Sequence, residues 1–228
     1  TKENAEKAVE YFSKAIETDP NYARAYAWKA CSTATVAQWD PERFGGNWLE
    51  ACFDSVSHAM DIDPDDAEAH RILGAIRMFK GEFDASLNHH EKARDLCPSD
   101  AYIRFKYATV LIYVGDPEKA LEEIKTAKRL DPFCPDYLLE DEGICYFWLN
   151  KFDEALESFK TLKVPSRNSL FYRTATLGKK GQQNDAKISL AEALSVTNLS
   201  ISEFINTQFY KNEVTVSSLR MTLEEVAA

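Results

Sequence analysis

Three prolines set a metre for the chain: Pro64, Pro98 and Pro132 stand 34 residues apart, each closing a segment with the same internal layout. Ile62-Asp63, Leu96-Cys97 and Leu130-Asp131 precede them, the small residues Cys52, Ser86 and Ala120 lie twelve positions before them, and Ala59, Ala93 and Ala127 five positions before them. A period of this size means stacked supersecondary units, because one helical pair cannot bury its own apolar face and needs a neighbour. Within a unit the apolar residues recur at helical spacing, as in Ile72, Ile76 and Phe79, followed by Phe83, Leu87, Ala93 and Leu96, with glycine or asparagine at the break. That pattern predicts a helix, a tight turn and an antiparallel helix. The small residues fall where two helix backbones approach closely, and each proline ends the second helix before the next unit begins. No strand-like alternation of useful length is present, so an all-α solenoid is expected.

These residues resemble the tetratricopeptide repeat. In the clearest unit the family's Leu-Gly pair is matched by Leu73-Gly74, the turn glycine by Gly81, the following aromatic by Phe83 and the closing turn by Cys97-Pro98. Tyr107-Ala108, Gly115, Ala120, Ala127 and Asp131-Pro132 match in the next unit. Gly143, Tyr146, Phe152, Ala155 and Phe159 match in a third, which ends early at Val164-Pro165. The resemblance implies a right-handed superhelix of antiparallel helix pairs with a C-terminal helical cap. Its expected divisions are a half repeat at 1–20, in which Ala8, Phe12, Ala15 and Asp19-Pro20 look like a second helix without its first, then repeats at 21–64, 65–98, 99–132 and 133–165. A degenerate repeat at 166–198, marked by Gly181, Ala186 and Ala193, and a cap at 199–228 complete the reading. Because Thr1 falls just before a second helix, the chain is expected to be part of a longer protein.

One unit breaks the metre. Pro20 to Pro64 spans 44 residues, and the surplus ten sit around 37–46. Two readings stand for Trp39, Phe44 and Trp48: packing back onto the helices, or a partner-binding knob, since aromatic residues concentrate at interface hot spots.

The remaining chemistry is thin. There is no apolar run long enough to span a membrane and no signal-peptide pattern at the start of the sequence, so a cytoplasmic protein is expected. A net charge of −10 argues against a nucleic-acid partner, since phosphate binding needs a basic stripe. Cys31, Cys52, Cys97, Cys134 and Cys145 include no Cys-x-x-Cys pair and are expected to be reduced. His89-His90 is the one histidine pair, with His90 at the family's core aromatic position, so packing is expected there rather than a metal. The acidic run Glu140-Asp141-Glu142 is read as first-turn carboxylates complementing a helix dipole, not as acid–base catalysts. The chain is accordingly expected to be no enzyme and to hold no cofactor or metal.

What remains is a binding surface. In the resembled family the first helix of each repeat lines a concave groove, and registering on Gly74, Ala108 and Gly143 selects Arg71, Met78, Tyr102, Lys106, Thr109, Tyr113, Tyr137, Asp141, Phe147 and Trp148 as the partner-binding set. Ile72, Phe105 and Ile144 are assigned to the core between repeats. The family's chaperone-tail receptors grip a carboxylate with Lys, Asn and Arg. The corresponding positions here carry Arg71 with Ala75, Lys106, and Tyr137 with Asp141, so that clamp is absent and an apolar helix or extended peptide is the expected ligand, oriented by Arg71 and Lys106.

The tail predicts two short helices, one capped by Ser200 and one starting near Ser218-Leu219-Arg220, joined through residues 209–213. It either caps the last repeat or occupies the groove. Its Phe-Tyr-x-x-Glu segment followed by Leu-Arg is similar to the C-terminal ends of bacterial proteins in which tetratricopeptide repeats follow a class III nucleotidyl cyclase or a winged-helix regulator. The leading expectation is therefore a protein-interaction module, the docking part of a larger bacterial signalling protein. The alternative is a homodimer built through the edge around Trp39 or through the tail.

Overall fold

The computed structural model describes residues 1–44, 46–133 and 135–228, and among them every regular element is helical. Two compact units form, Thr1–Tyr107 and Ala108–Ala228. The N-terminal unit holds α1 (Lys2–Thr18), α2 (Ala23–Ala37), a 3-10 turn at Pro41–Phe44, α3 (Trp48–Ile62), α4 (Ala67–Phe79), α5 (Phe83–Leu96) and the first half of α6 (Ala101–Val114). The C-terminal unit holds the rest of α6, then α7 (Pro117–Leu130), α8 (Asp136–Trp148), α9 (Phe152–Lys160), α10 (Arg167–Lys179), α11 (Gln183–Thr197), α12 (Ile201–Ile205) and α13 (Glu213–Ala227).

The prolines act as the spacing predicts. Asp19, Asp63, Cys97 and Asp131, each immediately before a proline, have φ of −135°, −136°, −130° and −128°, outside the helical range. Two residues after Pro64 and Pro98, Asp66 and Asp100 cap the next helix by accepting from the amides of Ala69 at 2.8 Å and Ile103 at 3.0 Å. The turns inside each pair need one left-handed residue. Gly81 and Gly115 supply it with φ of +76° and +93°, and Asn150 does the same at +58°.

Close helix approach explains the small residues. In the N-terminal unit Ala27, Ala30, Cys52, Val56, Ala59, Ala69, Ile72, Leu73 and Ile76 form one core cluster. A Cβ on Gly74 would stand 2.3 Å from His90 Nδ1, and one on Gly143 in the C-terminal unit 2.5 Å from the Phe159 ring. Ile72, Phe105 and Ile144 are buried, in keeping with their assignment to the core. The Cys52 thiol points at the carbonyl of Ala30, and burial pushes its pKa up to about 12, so it is a packed thiol.

The insertion resolves by side chain. Trp48 packs edge-on against Phe79 at 6.2 Å and Phe44 faces the gap between α1, α2 and α3, whereas Trp39 is 54% exposed. Gly45, within that stretch, and Cys134 lie outside the described residues. In the tail, α12 starts at Ser200 as expected, with a complete capping box to Glu203. The second tail helix differs: α13 begins at Glu213, capped by Asn212, which accepts from the Val214 amide at 2.9 Å. It packs on α10 and α11 through Leu219, Leu223 and Val226, all buried.

Candidate partner-binding face

In the N-terminal unit the first-helix face is built from α2, α4 and the start of α6. Arg71 on α4 is 3% exposed and pairs with Glu68 Oε2 at 2.7 Å, one helical turn away. Its guanidinium lies over Trp28 of α2 at 5.6 Å and over Tyr102 of α6 at 5.0 Å. Lys106 stacks on Tyr102 at 5.3 Å and on Phe105 at 4.9 Å. Three successive first helices are thus joined by cation–π contacts, and such desolvated contacts contribute about 1–2 kcal/mol each. Tyr102 keeps 39% of its surface exposed and Met78 is half-buried. Since Arg71 is already neutralised by Glu68, the face offers rings and a matched charge rather than an open cation.

The C-terminal unit presents a different surface. Thr109 donates to Asp141 Oδ2 at 2.7 Å, which ties α6 to α8. Tyr113, Trp148 and Tyr172 surround one further side chain, Tyr210 from the loop between α12 and α13. Tyr210 centres 5.1 Å from Tyr113 and 5.5 Å from Trp148. Its hydroxyl accepts the Trp148 indole N–H at 2.9 Å and shares a 2.5 Å hydrogen bond with the Tyr172 hydroxyl. The backbone joins in, because the Lys211 amide donates to the Tyr113 carbonyl at 2.8 Å. Burial drives the phenols of Tyr172 and Tyr210 well above their ordinary range, as does that of Tyr113, where the carboxylates of Asp141 and Glu140 add to the effect.

Two members of the expected set, Arg71 and Phe147, are buried rather than exposed on a groove. Phe147 is 4% exposed and packs edge-on against Tyr172 at 5.4 Å, because the twelfth position of α8 faces the next first helix. Tyr137 is 44% exposed. Trp28, Tyr172 and Tyr210 were not in the set. Counting back nine residues from each turn finds the same position throughout: Ile72 from Gly81, Lys106 from Gly115, Asp141 from Asn150 and Tyr172 from Gly181. Extending that register into the degenerate repeat would have found Tyr172. The register from Pro64 to Ile72, moved to Pro20, likewise lands on Trp28. No periodic signal reaches Tyr210.

The acidic run diverges rather than converging on one point. Glu140 accepts from the Ser166 hydroxyl and is 9% exposed, Asp141 serves Thr109, and Glu142 pairs with Lys128 at 2.9 Å. The three sit in the second turn of α8, not in the first as the sequence reading has it; Asp136 is the first-turn carboxylate. His89 likewise meets His70, Nδ1 to Nδ1 at 3.0 Å, and His90 bonds the Ser86 carbonyl at 2.9 Å. Among the described residues no group of three or more His, Cys, Asp or Glu could hold a metal ion, and no helix is long and apolar enough to cross a membrane.

A tetratricopeptide-repeat family model matches residues 1–22. No curated protein matches the chain. Among solved structures, YrrB, described as a TPR protein with an unusual peptide-binding site, is 21% identical over 82% of this chain and 93% of its own, with a TM-score of 0.56. Pseudomonas aeruginosa pilF is 17% identical over 90% and 88%, with a TM-score of 0.64. The Cut9–Hcn1 assembly of the APC/C is 17% identical over 99% of this chain and 40% of its own, with a TM-score of 0.74. Paired helices, proline and glycine spacing, and these likenesses show that the chain has the fold of a tetratricopeptide-repeat array.

Proposed function

We propose that the chain binds an apolar helix or extended peptide through the first-helix face of its N-terminal unit. The observation that carries this reading is the Trp28–Arg71–Tyr102 stack, which ties three successive first helices into one aromatic strip. Rigid rings give large contact area at low entropic cost, and the absence of a released cation selects against a free C-terminal carboxylate. Arg71 within the strip and Lys106 over the Tyr102 ring set ligand orientation. The tail resemblance supports placing this activity in the docking part of a larger bacterial signalling protein. The test is a photo-crosslinking residue at Tyr102, compared with one at the exposed second-helix position Asp95. A partner captured at Tyr102 alone, and lost in Trp28→Ala, supports the face; equal capture at both sites rejects it.

A second reading is homo-oligomerisation, favoured by the 54% exposure of Trp39 beside the inward-packed Trp48. A molar mass that stays monomeric up to high concentration, unchanged by Trp39→Ala, would dispose of it.

A further inference from the structure

The loop at 206–212 lies on the inner face of the C-terminal unit as a bound peptide would. Tyr210 is its one buried side chain, while Asn206, Phe209, Lys211 and Asn212 are exposed. Recognition has two parts. The phenol is read by Trp148 Nε1 at 2.9 Å and the Tyr172 hydroxyl at 2.5 Å, with Tyr113 and Trp148 against its ring. The peptide backbone is read where the Lys211 amide meets the Tyr113 carbonyl at 2.8 Å.

The flanks of this loop are held without it. On one side Phe204 stacks on Phe171 at 4.1 Å and 11°. On the other Leu219, Leu223 and Val226 are buried against α10 and α11. Lifting the loop therefore exposes Tyr210, breaks the Gln208–Asn168 bond at 3.4 Å and leaves both anchors in place, which is a local opening rather than unfolding.

We propose that the Tyr113–Trp148–Tyr172 cage is a tyrosine-recognition site, held shut in cis by Tyr210, and that a partner segment carrying an uncharged tyrosine binds by replacing the loop. This rests on reading the first-helix faces as partner-binding. The ligand is an uncharged tyrosine because its phenol oxygen is buried between two neutral groups, the Trp148 indole N–H and the Tyr172 hydroxyl. A phosphotyrosine would bring its charge to neutral donors too few to pair it, with Asp141 of α8 adding negative charge to the face. The site thus separates tyrosine from its phosphorylated form.

The experiment uses the full chain carrying Tyr210→Ala and a labelled, end-blocked peptide of residues 206–213, Asn-Thr-Gln-Phe-Tyr-Lys-Asn-Glu. Binding is expected to Tyr210→Ala and at least tenfold weaker to the unsubstituted chain, where Tyr210 competes. Replacing the peptide's tyrosine by phenylalanine should weaken binding several-fold, and phosphorylating it should abolish binding. No binding to a folded Tyr210→Ala chain, or equal binding of the phosphopeptide, overturns the proposal. Adding Tyr102→Ala should change nothing here, so failure of the N-terminal face and failure of this cage are read separately. Should Tyr210→Ala not fold, hydrogen exchange on the intact chain decides: the Lys211 amide should exchange far faster than those of Leu219 and Leu223. Equal rates would mean that the loop opens only with the whole unit, and the proposal would fall.

Discussion

The indole N–H of Trp148 meets the hydroxyl of Tyr210 at 2.9 Å, across 62 positions of chain. This contact joins the end of a first helix to the tail, and the same hydroxyl is bonded to Tyr172. The tail consequently does two jobs in one unit. Helix α13 covers the last pair, and the loop before it fills the inner face.

Removing only the oxygen isolates the polar part of that contact. Tyr210→Phe keeps the ring but leaves the Trp148 N–H and the Tyr172 hydroxyl without their partner. Orphaned buried groups cost about 1–3 kcal/mol. Urea unfolding should show a lower midpoint with unchanged slope, and Trp148 emission should shift. An unchanged midpoint would mean that water replaces the hydroxyl at no cost.

Gly74 tests the close approach of α4 and α5. Alanine favours a helix over glycine by about 1 kcal/mol, so Gly74→Ala would stabilise an open helix. Here its Cβ would stand 2.3 Å from His90 Nδ1, and overpacking of this kind costs about 1–3 kcal/mol. Net destabilisation is expected, with the cost of the Cβ largely removed when His90→Ala makes room. A double-mutant cycle on thermal unfolding checks it, and additive effects would show that the helices separate freely.

The repeat was legible because backbone chemistry announces it locally. A residue before proline leaves the helical range, an aspartate two residues after the proline caps the next helix, and Gly81 or Gly115 reverses the chain, each a signal confined to a few residues. The face was legible only in part. Register identifies positions but not what fills them, so it located Arg71 and Trp148 without showing that Glu68 neutralises one and Tyr210 covers the other. Phe147 follows the same rule, since its burial depends on Tyr172 in the next pair. The start of α13 was missed because Asn212 and Ser218 are both residue types that cap helices, and it is the Asn212 side chain that accepts from the Val214 amide.

Thiol chemistry should separate the cysteines by burial. Cys97 is exposed, while Cys52 and Cys145 are buried with thiols pushed up in pKa chiefly by burial. A thiol reagent at neutral pH should label Cys97 at once and reach Cys52 and Cys145 only at the rate of unfolding. Mass spectrometry of the labelled peptides against time gives the answer. Rapid labelling of Cys52 would contradict its place beneath the Ala30 carbonyl.

Acid should loosen the N-terminal unit through its histidines. Burial lowers His90 to about 4 and also lowers His89, whose Nδ1 faces that of His70. His70 Nε2 can only donate to the Pro64 carbonyl, so in the neutral ring its Nδ1 accepts from His89. For a histidine whose folded pKa is depressed, the unfolded chain binds more protons as the pH falls below about 6.5, and stability is lost from there down to the folded pKa. For His90 that window runs from about 6.5 to about 4, and its depth is on the order of 3 kcal/mol. Urea midpoints measured from pH 7 to pH 4 should fall, and His90→Gln should flatten the fall even while lowering stability at neutral pH. An unchanged slope in that variant would assign the acid sensitivity to carboxylates instead.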